Sequence, residues 1–386
     1  MTLVSSHSPH GQSPLRTVQV LGGGNAGSSA HVRSLAAGLV ARGLRVTVCA
    51  PVEADHAYDF TGTGAVHVHV PRSSDPGAVA ALREACRDAD VVHAHGLHAS
   101  FRAALALSGR RTPLVVTWHT RAYADGARAH LLRLLERRVA KAATVVLGTC
   151  SDLVDRARRT GARDARLAAV SLPGPRPRTA AEADDPDRQR AKLRAELGAT
   201  DRPLLMAAGS LDRHGGHQTL LDAARVWGRL DPVPLVVLAG EGPLRPALQR
   251  RVEDERLPVR LVGLRDDLAE LLAAADVALL TSRWESRSVL AQEALHARVP
   301  LVATAVGGVP DLVGDAADLV PYGDAVALAD TVVRLLGDPE RRELLAERGV
   351  RQTATWPTED QTVAQVLSIY DELTQIWPLV QPPERR

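Results

Sequence analysis

The 386-residue chain has few aromatic side chains and almost no lysine. Phe, Trp and Tyr make up 3% of the residues, so ligand recognition mainly by aromatic stacking is not expected. Lys141 and Lys192 are the only lysines, and arginine carries nearly all of the positive charge. The formal net charge of +2 at pH 7 gives no indication of a nucleic-acid-binding protein, because such proteins concentrate positive charge.

Cysteines and long apolar runs are also scarce. Cys49, Cys86 and Cys150 lie far apart and none belongs to a CxxC pair, which argues against both a disulfide framework and a thiolate zinc site. No run approaches the ~20 apolar residues of a membrane-spanning helix. The polar residues 1–15 lack the apolar segment of a signal peptide. We therefore expect a cytoplasmic protein with a disordered leader over residues 1–15.

Short apolar runs alternate with helical patterns in both halves of the chain. Thr17–Leu21, Arg45–Ala50 and Val91–His95 are strand candidates in the first half, and the alternation restarts at Leu204–Ala208. This order predicts α/β architecture, with parallel sheets covered by helices on both faces. Because the length exceeds one ordinary core, two domains are expected.

A turn-rich break separates the two halves. Pro173–Thr179 is rich in proline, and a charged stretch follows it up to Pro203. The breaker Trp356-Pro357 precedes the last helical pattern. We therefore predict an N-terminal domain over residues 16–175, a linker over 176–200, a C-terminal domain over 201–355, and a final helix and tail over 356–386.

Two glutamates, Glu285 and Glu293, bracket the segment WESRSVLAQEAL. If the segment is helical throughout, about 12 Å of helical rise separates them, and they can hold opposite ends of an elongated polyhydroxyl ligand. Apolar residues surround Glu293, so a carboxylate at that position needs a hydrogen-bonding partner. The alternative is a pair of exposed helix acids, which is the common fate of glutamate.

A glycine-rich turn, Gly22–Gly27, follows the first strand and opens a helix. Backbone amides at such a turn favour a phosphate, and we interpret it as a loop that faces phosphate or substrate. A dinucleotide site would also require an acid at the end of the second strand, which instead ends in Cys49-Ala50-Pro51. A purely structural turn remains the alternative.

Histidines cluster after two strands of the first half. His93, His95 and His98 suggest a metal site, but no acid or cysteine accompanies them, so we favour polar residues that line a cleft at the carboxyl edge of the sheet. His119 follows the strand Leu114–Trp118 and is placed to reach a ligand. A partly buried histidine with satisfied hydrogen bonds is the alternative.

In this order, the motifs resemble those of the family 4 glycosyltransferases of the GT-B fold. The resemblance covers nearly the whole chain and depends on Gly22–Gly27, Trp118–His119, Ala208–Leu211, Ala239–Pro243, the E-x7-E pattern from Glu285 to Glu293, and Val306–Pro310. It implies two Rossmann-like domains that face each other across a cleft. The C-terminal domain would bind a nucleotide-sugar donor, the N-terminal domain would bind the acceptor, and the last helix would cross back to the N-terminal domain.

The resemblance also implies roles for individual residues. His119 and Glu285 would be the catalytic residues, with Glu285 holding the donor sugar, and Glu293 would accept hydrogen bonds from the ribose. The remaining donor-binding residues would be Gly23, Gly24, Gly209, Ser210, Arg213, Glu241, Gly242, Arg287, Ser288 and Val289. A hexose-type sugar would pass from a nucleoside diphosphate to an acceptor hydroxyl with retention of configuration, without a metal, a cofactor or a protein nucleophile.

The chain departs from the family pattern at two positions. Ser210 stands where family members usually have an arginine, and Gly215 where they have a lysine. Because both cations grip the diphosphate, their loss would remove several kcal/mol of transition-state stabilisation. Arg213 or Arg287 could substitute for them. The alternative is a catalytically impaired protein that is retained for binding or as a scaffold.

Two further enzyme classes and a membrane contact stay open at this point. A nucleotide-sugar epimerase shares the architecture, whereas a dehydrogenase would leave the motifs of the second domain without a role. Four arginines on one predicted helix permit peripheral contact with the inner face of the membrane, although a solvated helix face is the favoured interpretation. They are Arg128, Arg133, Arg137 and Arg138.

Overall fold

The computed structural model describes residues 14–22, 26–72, 76–121, 123, 126–171 and 185–376. The chain divides into two compact units. The N-terminal unit comprises residues 1–149, 153–172 and 357–386, and the C-terminal unit comprises residues 150–152 and 173–356. Most of the predicted leader, the proline-rich break, Gly23 and Gly24 lie outside the described residues.

Each unit contains one parallel β-sheet. The strands of the N-terminal unit are β1 (Arg16–Leu21), β2 (Arg45–Ala50), β3 (Val66–His69), β4 (Val91–His95), β5 (Leu114–Trp118), β6 (Val145–Gly148) and β7 (Ala165–Leu167). The strands of the C-terminal unit are β8 (Leu204–Ala208), β9 (Leu235–Ala239), β10 (Val259–Gly263), β11 (Val277–Leu280), β12 (Leu301–Thr304) and β13 (Ala317–Val320). The strand orders are β3-β2-β1-β4-β5-β6-β7 and β10-β9-β8-β11-β12-β13.

The helices alternate with these strands along the chain. They are α1 (Ala26–Ala41), α2 (Val52–Tyr58), α3 (Pro76–Ala85), α4 (Leu97–Ala106), α5 (Gly126–Ala142), α6 (Ser151–Thr160), α7 (Pro186–Leu197), α8 (His217–Trp227), α9 (Arg245–Asp254), α10 (Leu268–Ala274), α11 (Val289–His296), α12 (Val309–Val313), α13 (Ala325–Gly337), α14 (Pro339–Thr353) and α15 (Glu359–Ile376). The predicted architecture of two Rossmann-like α/β domains is confirmed.

The central strands of the N-terminal unit are buried on both faces because helices cover both faces. Every residue of β4 and β5 is buried. The last helix, α15, belongs to this unit and places Val363, Val366, Ile369 and Tyr370 in its core. At Gly38 of α1, an added Cβ would lie 2.4 Å from a methyl carbon of Val363. The last helix therefore returns to the N-terminal unit at close range, as the resemblance implied.

The sheet of the C-terminal unit has an apolar cluster on each face. One cluster contains the fully buried Trp227 of α8, whose indole N–H donates to the Ala329 carbonyl at 3.3 Å. Helix α7, which the sequence assigns to a linker, is part of this unit. Its Arg194 donates to Asp276 Oδ2 at 3.0 Å, and the same oxygen accepts from the backbone amide of Leu204 at 2.7 Å. This bridge ties α7 to the start of β8.

Helix α5 carries the four arginines for which a membrane contact is predicted. All four are exposed, and Leu131 and Leu134 on the same helix are 56% and 49% exposed. In the described part of the chain, no helix is long and apolar enough to cross a membrane. Exposed arginines are compatible with a solvated face and with a lipid surface alike, so the peripheral contact stays a prediction.

Candidate active site

Most of the predicted donor-binding residues of the C-terminal unit lie on loops that follow its strands, while Val289 and Glu293 lie on α11. Gly209 and Ser210 follow β8, Glu241 and Gly242 follow β9, and Glu285 follows β11. Because the strands are parallel, their carboxyl ends meet at one edge of the sheet, which is where open α/β sheets bind ligands. Strand order alone therefore places these residues at one edge, and backbone contacts give the distances between the loops.

The loops after β8 and β9 are in direct backbone contact. The amide of Leu211 donates to the Glu241 carbonyl at 2.9 Å. An added Cβ at Gly240 would lie 1.9 Å from the Gly209 carbonyl oxygen, and one at Gly242 would lie 2.5 Å from that of Leu211. Glycine is required at both positions because the two backbones approach too closely for a side chain.

The loop after β8 also contacts the loop after β11. The Thr281 hydroxyl donates to the Gly215 carbonyl at 2.8 Å, and the Arg283 amide donates to the His214 carbonyl at 2.7 Å. Gly216 has φ +69°, and an added Cβ would lie 1.8 Å from the Thr281 carbonyl oxygen. The left-handed backbone and the lack of space both require glycine.

The Gly-Gly pair after β12 holds the backbone of Glu285. The Gly308 amide donates to the Glu285 carbonyl at 2.8 Å. Gly307 has φ +54°, and its added Cβ would lie 2.1 Å from the same carbonyl oxygen. The hydroxyl of Thr304 donates to the Ser282 carbonyl at 2.7 Å. The motif that follows E-x7-E in the sequence therefore acts as a support for the first of its two glutamates.

The segment between the two glutamates is only partly helical. Helix α11 begins at Val289, and the Ser288 hydroxyl caps it by accepting from the Ala291 amide at 3.4 Å. Glu285 lies in the preceding loop, so the helical spacing considered for the whole segment is wrong. Ser288 is buried and Val289 is exposed.

The environments of the Glu285 and Glu293 carboxylates differ, but both raise the pKa of the carboxyl group. Burial raises the pKa of Glu285, against the effect of a hydrogen bond from Ser282, and Asp212 adds a smaller upward effect. Burial also raises the pKa of Glu293, with a further contribution from Glu270. Both carboxylates are therefore costly to keep ionised without an external partner.

The Glu293 carboxylate oxygens are free to accept further hydrogen bonds. Its helix neighbours Leu290, Ala291, Ala294 and Leu295 are buried. Among the residues that the structure describes, no side chain donates a hydrogen bond to the Glu293 carboxylate. The apolar surroundings in the sequence predict that this carboxylate needs a hydrogen-bonding partner. A ligand that supplies hydroxyl donors would meet the same requirement.

The two positions that depart from the family pattern are occupied by a compact hydrogen-bonded turn. The Ser210 hydroxyl donates to Asp212 Oδ2 at 3.1 Å, and the Ser210 carbonyl accepts from His217 Nε2 at 2.8 Å. An added Cβ at Gly215 would lie 2.1 Å from that His217 nitrogen. The imidazole of His217 therefore fills the space in which a lysine at position 215 would begin.

The two candidate substitute cations differ in burial. Arg213 is exposed, and its Nε lies 3.4 Å from His214 Nε2. Arg287 is largely buried, and burial lowers its pKa. Among the described residues, none accepts a hydrogen bond from the buried Nε and Nη2 atoms of Arg287. A desolvated guanidinium without an acceptor is costly, and an anionic ligand would offset that cost.

The Glu241 side chain takes part in an ion pair that the sequence analysis missed. Arg245 Nη1 lies 2.9 Å from Glu241 Oε1, and the Glu241 side chain is 51% exposed. Glu241 lies in the loop before α9, so this pair does not follow from helical spacing. The contribution of Glu241 and Gly242 to the loop geometry is made by their backbone.

In the N-terminal unit, His119 is part of a cluster of histidines. His119 follows β5, His95 ends β4, and His31 lies on α1. Burial lowers the pKa of His95 and of His119 well below the ordinary value. His31 is not among the predicted site residues, because nothing in the sequence pattern of α1 distinguishes it. His98, which the analysis grouped with His93 and His95, is exposed.

A buried hydrogen-bond network lies behind the cluster. Gln19 Nε2 donates to Thr17 Oγ1 at 3.0 Å and to the Tyr370 hydroxyl at 2.9 Å, so its Oε1 is the acceptor for His95 Nε2 at 3.1 Å. His93 bonds the same Tyr370 hydroxyl through Nδ1 at 2.8 Å. The network fixes the orientation of His95.

Because His31 and His93 are buried, we expect the free energy of unfolding of the N-terminal unit to fall at acidic pH. Burial lowers the pKa of His31 to about 4 and that of His93 to about 3. The unfolded chain therefore binds more protons than the folded unit below pH ~6.5, and stability falls as pH decreases through that value. We expect each of these histidines to contribute a loss of about 2 kcal/mol between pH 7.5 and pH 5.

Urea unfolding of the full chain at the two pH values measures this loss. The variant His31→Gln lacks one of the titrating groups and should show a smaller difference between pH 7.5 and pH 5. The variant His98→Gln changes an exposed histidine and should match the unmodified chain. An equal difference in His31→Gln and in the unmodified chain would contradict the assignment.

Comparisons with known sequences agree with the two-domain arrangement. Residues 26–173 match the family profile described as "Glycosyl transferase 4-like domain", and residues 202–338 match "Glycosyl transferases group 1". Alpha-D-kanosaminyltransferase of Streptomyces kanamyceticus is 30% identical over 68% of this chain and 71% of its own length. D-inositol 3-phosphate glycosyltransferase of Xylanimonas cellulosilytica is 31% identical over 75% and 73% of the two chains.

Solved structures share the fold at lower sequence identity. Anabaena HepE in complex with UDP superposes with a TM-score of 0.77 at 17% identity, over 93% of this chain and all of that chain (100%). Sucrose-phosphate synthase from Thermosynechococcus elongatus gives a TM-score of 0.71 at 20% identity, over 94% and 100% of the two chains. The motifs, the two parallel sheets and the curated relatives lead to one conclusion: the chain belongs to the family 4 glycosyltransferases and is a transferase with the GT-B fold.

Proposed function

We propose that the protein is a retaining glycosyltransferase that moves a hexose-type sugar from a nucleoside diphosphate to an acceptor hydroxyl. One observation carries the proposal. The Nε and Nη2 atoms of Arg287 are buried without a hydrogen-bond acceptor among the described residues. Two residues further along, α11 begins, and burial raises the pKa of its Glu293. A donor with an anionic diphosphate and a ribose with two hydroxyl groups complements such a cation and carboxylate.

Each group would have a distinct task in this arrangement. Glu293 accepts hydrogen bonds from ribose hydroxyls, and Glu285, held by Gly307 and Gly308, binds the donor sugar. Arg287 neutralises the diphosphate together with the first amides of α11, which have no acceptor within the helix. Gly209, Ser210, Gly242, Ser288 and Val289 supply the backbone that surrounds the donor.

The reaction would proceed without a metal or a protein nucleophile. The bond between the anomeric carbon and the diphosphate oxygen breaks, and the acceptor oxygen attacks the same face of the sugar. The acceptor proton passes to the departing diphosphate. Stabilising the charge on that leaving group is the main catalytic requirement, and it falls to Arg287. His119 is proposed to contact the donor, as the resemblance implies.

The relatives support a nucleotide-sugar donor. Anabaena HepE has been solved with UDP and with UDP-glucose, and the curated relatives are named as sugar transferases. These names give no support to the scaffold alternative, in which the protein would bind without turnover. Of the acceptor, we propose only that it supplies a hydroxyl group.

A thermal-shift panel tests the donor site directly. We expect UDP, GDP or their glucose conjugates to raise the melting temperature, since a ligand at 100 times its Kd stabilises the folded state by about 2.7 kcal/mol. Absence of a shift with every member of the panel would overturn the donor-site assignment. Donor hydrolysis and product analysis without an acceptor then separate transfer from epimerisation, and binding without turnover would favour the scaffold alternative.

A further inference from the structure

Three histidines from separate elements of the N-terminal unit converge on one point. One ring nitrogen from each of His31, His95 and His119 lies within 4.8 Å of the other two. The distances between ring centroids are 5.7 Å for His31 and His95, 5.2 Å for His31 and His119, and 5.6 Å for His95 and His119. The ring centroids therefore form a nearly equilateral triangle, in which His31 meets the other two rings at interplanar angles of 66° and 63° and those two rings lie 30° apart.

This spacing matches three imidazoles around one tetrahedral ion. A Zn–N distance of about 2.05 Å places two coordinating nitrogens about 3.4 Å apart and two ring centroids about 5.2 Å apart. His95 Nδ1 lies 3.3 Å from His119 Nε2. That distance is longer than an ordinary N–H···N hydrogen bond and close to the edge of the tetrahedron.

The network behind the cluster orients His95 for coordination. Because Gln19 Oε1 accepts from His95 Nε2–H, the lone pair of His95 is on Nδ1, which faces His119. Gln19 is itself fixed by Thr17 and Tyr370. An oxygen acceptor on the far nitrogen of a ligating histidine is the usual arrangement around protein metal sites.

We propose that His31, His95 and His119 form a Zn²⁺-binding site in the N-terminal unit, with the fourth position open to water or to an oxygen ligand. Three imidazoles and no carboxylate suit Zn²⁺, whereas Mg²⁺ and Ca²⁺ require oxygen ligands. The sequence suggests a metal site only through His93, His95 and His98, a set that we did not favour. In the structure, His31 takes the third position beside His95 and His119.

Zn²⁺ at this site would inhibit transfer. The ion and the donor compete for the same imidazole, since a His119 nitrogen that coordinates the metal cannot also contact the sugar. This consequence depends on the proposed contact of His119 with the donor. Binding of the metal itself does not depend on it.

Titration of the metal-free full chain with Co²⁺, without donor, tests the site independently of the transferase activity. Tetrahedral Co²⁺ gives intense visible absorption, whereas octahedral Co²⁺ gives very weak absorption. We expect intense bands that saturate at one equivalent and are displaced by Zn²⁺. In His31→Gln the bands should disappear, and in the control His98→Gln they should persist.

A second variant keeps the test decisive if His31→Gln fails to fold. Gln19→Met leaves the three imidazoles in place and removes the acceptor for His95, so Zn²⁺ affinity by calorimetry should fall about 10- to 100-fold. Unchanged Co²⁺ spectra in His31→Gln, unchanged affinity in Gln19→Met, or only weak octahedral absorption in the unmodified chain would overturn the proposal. Zn²⁺ inhibition of donor turnover that His31→Gln relieves would establish the consequence.

Discussion

Replacing Arg287 with methionine is expected to lower the rate of donor hydrolysis about 100- to 1,000-fold, which is the usual cost of removing one preorganised group that stabilises leaving-group charge. The family resemblance implies an arginine and a lysine at positions 210 and 215, where this chain has Ser210 and Gly215. Of the two substitute cations, only Arg287 is substantially buried, and its Nε and Nη2 have no acceptor among the described residues. The measurement is kcat and KM for whichever UDP- or GDP-sugar shifts the melting temperature.

Matched variants separate catalysis from folding. Arg213→Met removes an exposed guanidinium. It should change kcat less than about threefold if Arg287 is the residue that stabilises the charge on the leaving group. Arg287→Lys keeps the charge but loses the planar fork and should retain part of the rate. Because a buried cation without a partner is costly, Arg287→Met should not lower the melting temperature of the ligand-free protein. Full turnover in Arg287→Met would show that leaving-group stabilisation lies elsewhere.

Replacing Glu293 with glutamine is expected to weaken binding of the donor's nucleoside diphosphate about 10- to 100-fold. Hydrogen bonds to a charged acceptor contribute about 1.5–3 kcal/mol, and the amide keeps the shape while losing the charge and one acceptor oxygen. The carboxylate lies on α11 among buried apolar neighbours, and burial raises its pKa. Calorimetric titration with UDP or GDP measures the change in Kd.

Glu270→Gln is the control for this substitution. Glu270 is the acid whose charge contributes to the raised pKa of Glu293. Its replacement removes that repulsion and leaves the Glu293 carboxylate in place, so Kd should stay within about threefold of the unmodified value. Equal weakening in both variants would mean that the local charge balance, rather than a ribose contact, determines affinity. An unchanged Kd in Glu293→Gln would exclude Glu293 from the donor site.

The family's cation pattern cannot be restored by simple substitution. A lysine at position 215 would begin in the space held by the His217 imidazole, 2.1 Å from its Nε2. That imidazole also bonds the Ser210 carbonyl. A lysine at position 215 would therefore require the His217 side chain, at the start of α8, to move.

Much of the fold followed from local patterns. Alternating apolar runs and helical stripes predicted two parallel sheets, and parallel strands bring their carboxyl ends to one edge, so the placement of Gly209, Glu241 and Glu285 on a common edge needed only strand order. These features depend on residue spacing along one segment, which the sequence contains in full.

Other features depended on neighbours that are distant in sequence. His31, His95 and His119 come from a helix and two strand ends, and only the packing of α1 on the sheet brings their rings within 5.2–5.7 Å. Arg287 and Arg213 are both arginines in loops, but Arg213 is exposed to solvent and Arg287 is not. The sequence determined the elements, their order and the edge at which chemistry occurs. Tertiary packing alone decided which side chains are buried and which come into contact. Burial and contact depend on residues that are distant in sequence, and a local sequence pattern does not contain them.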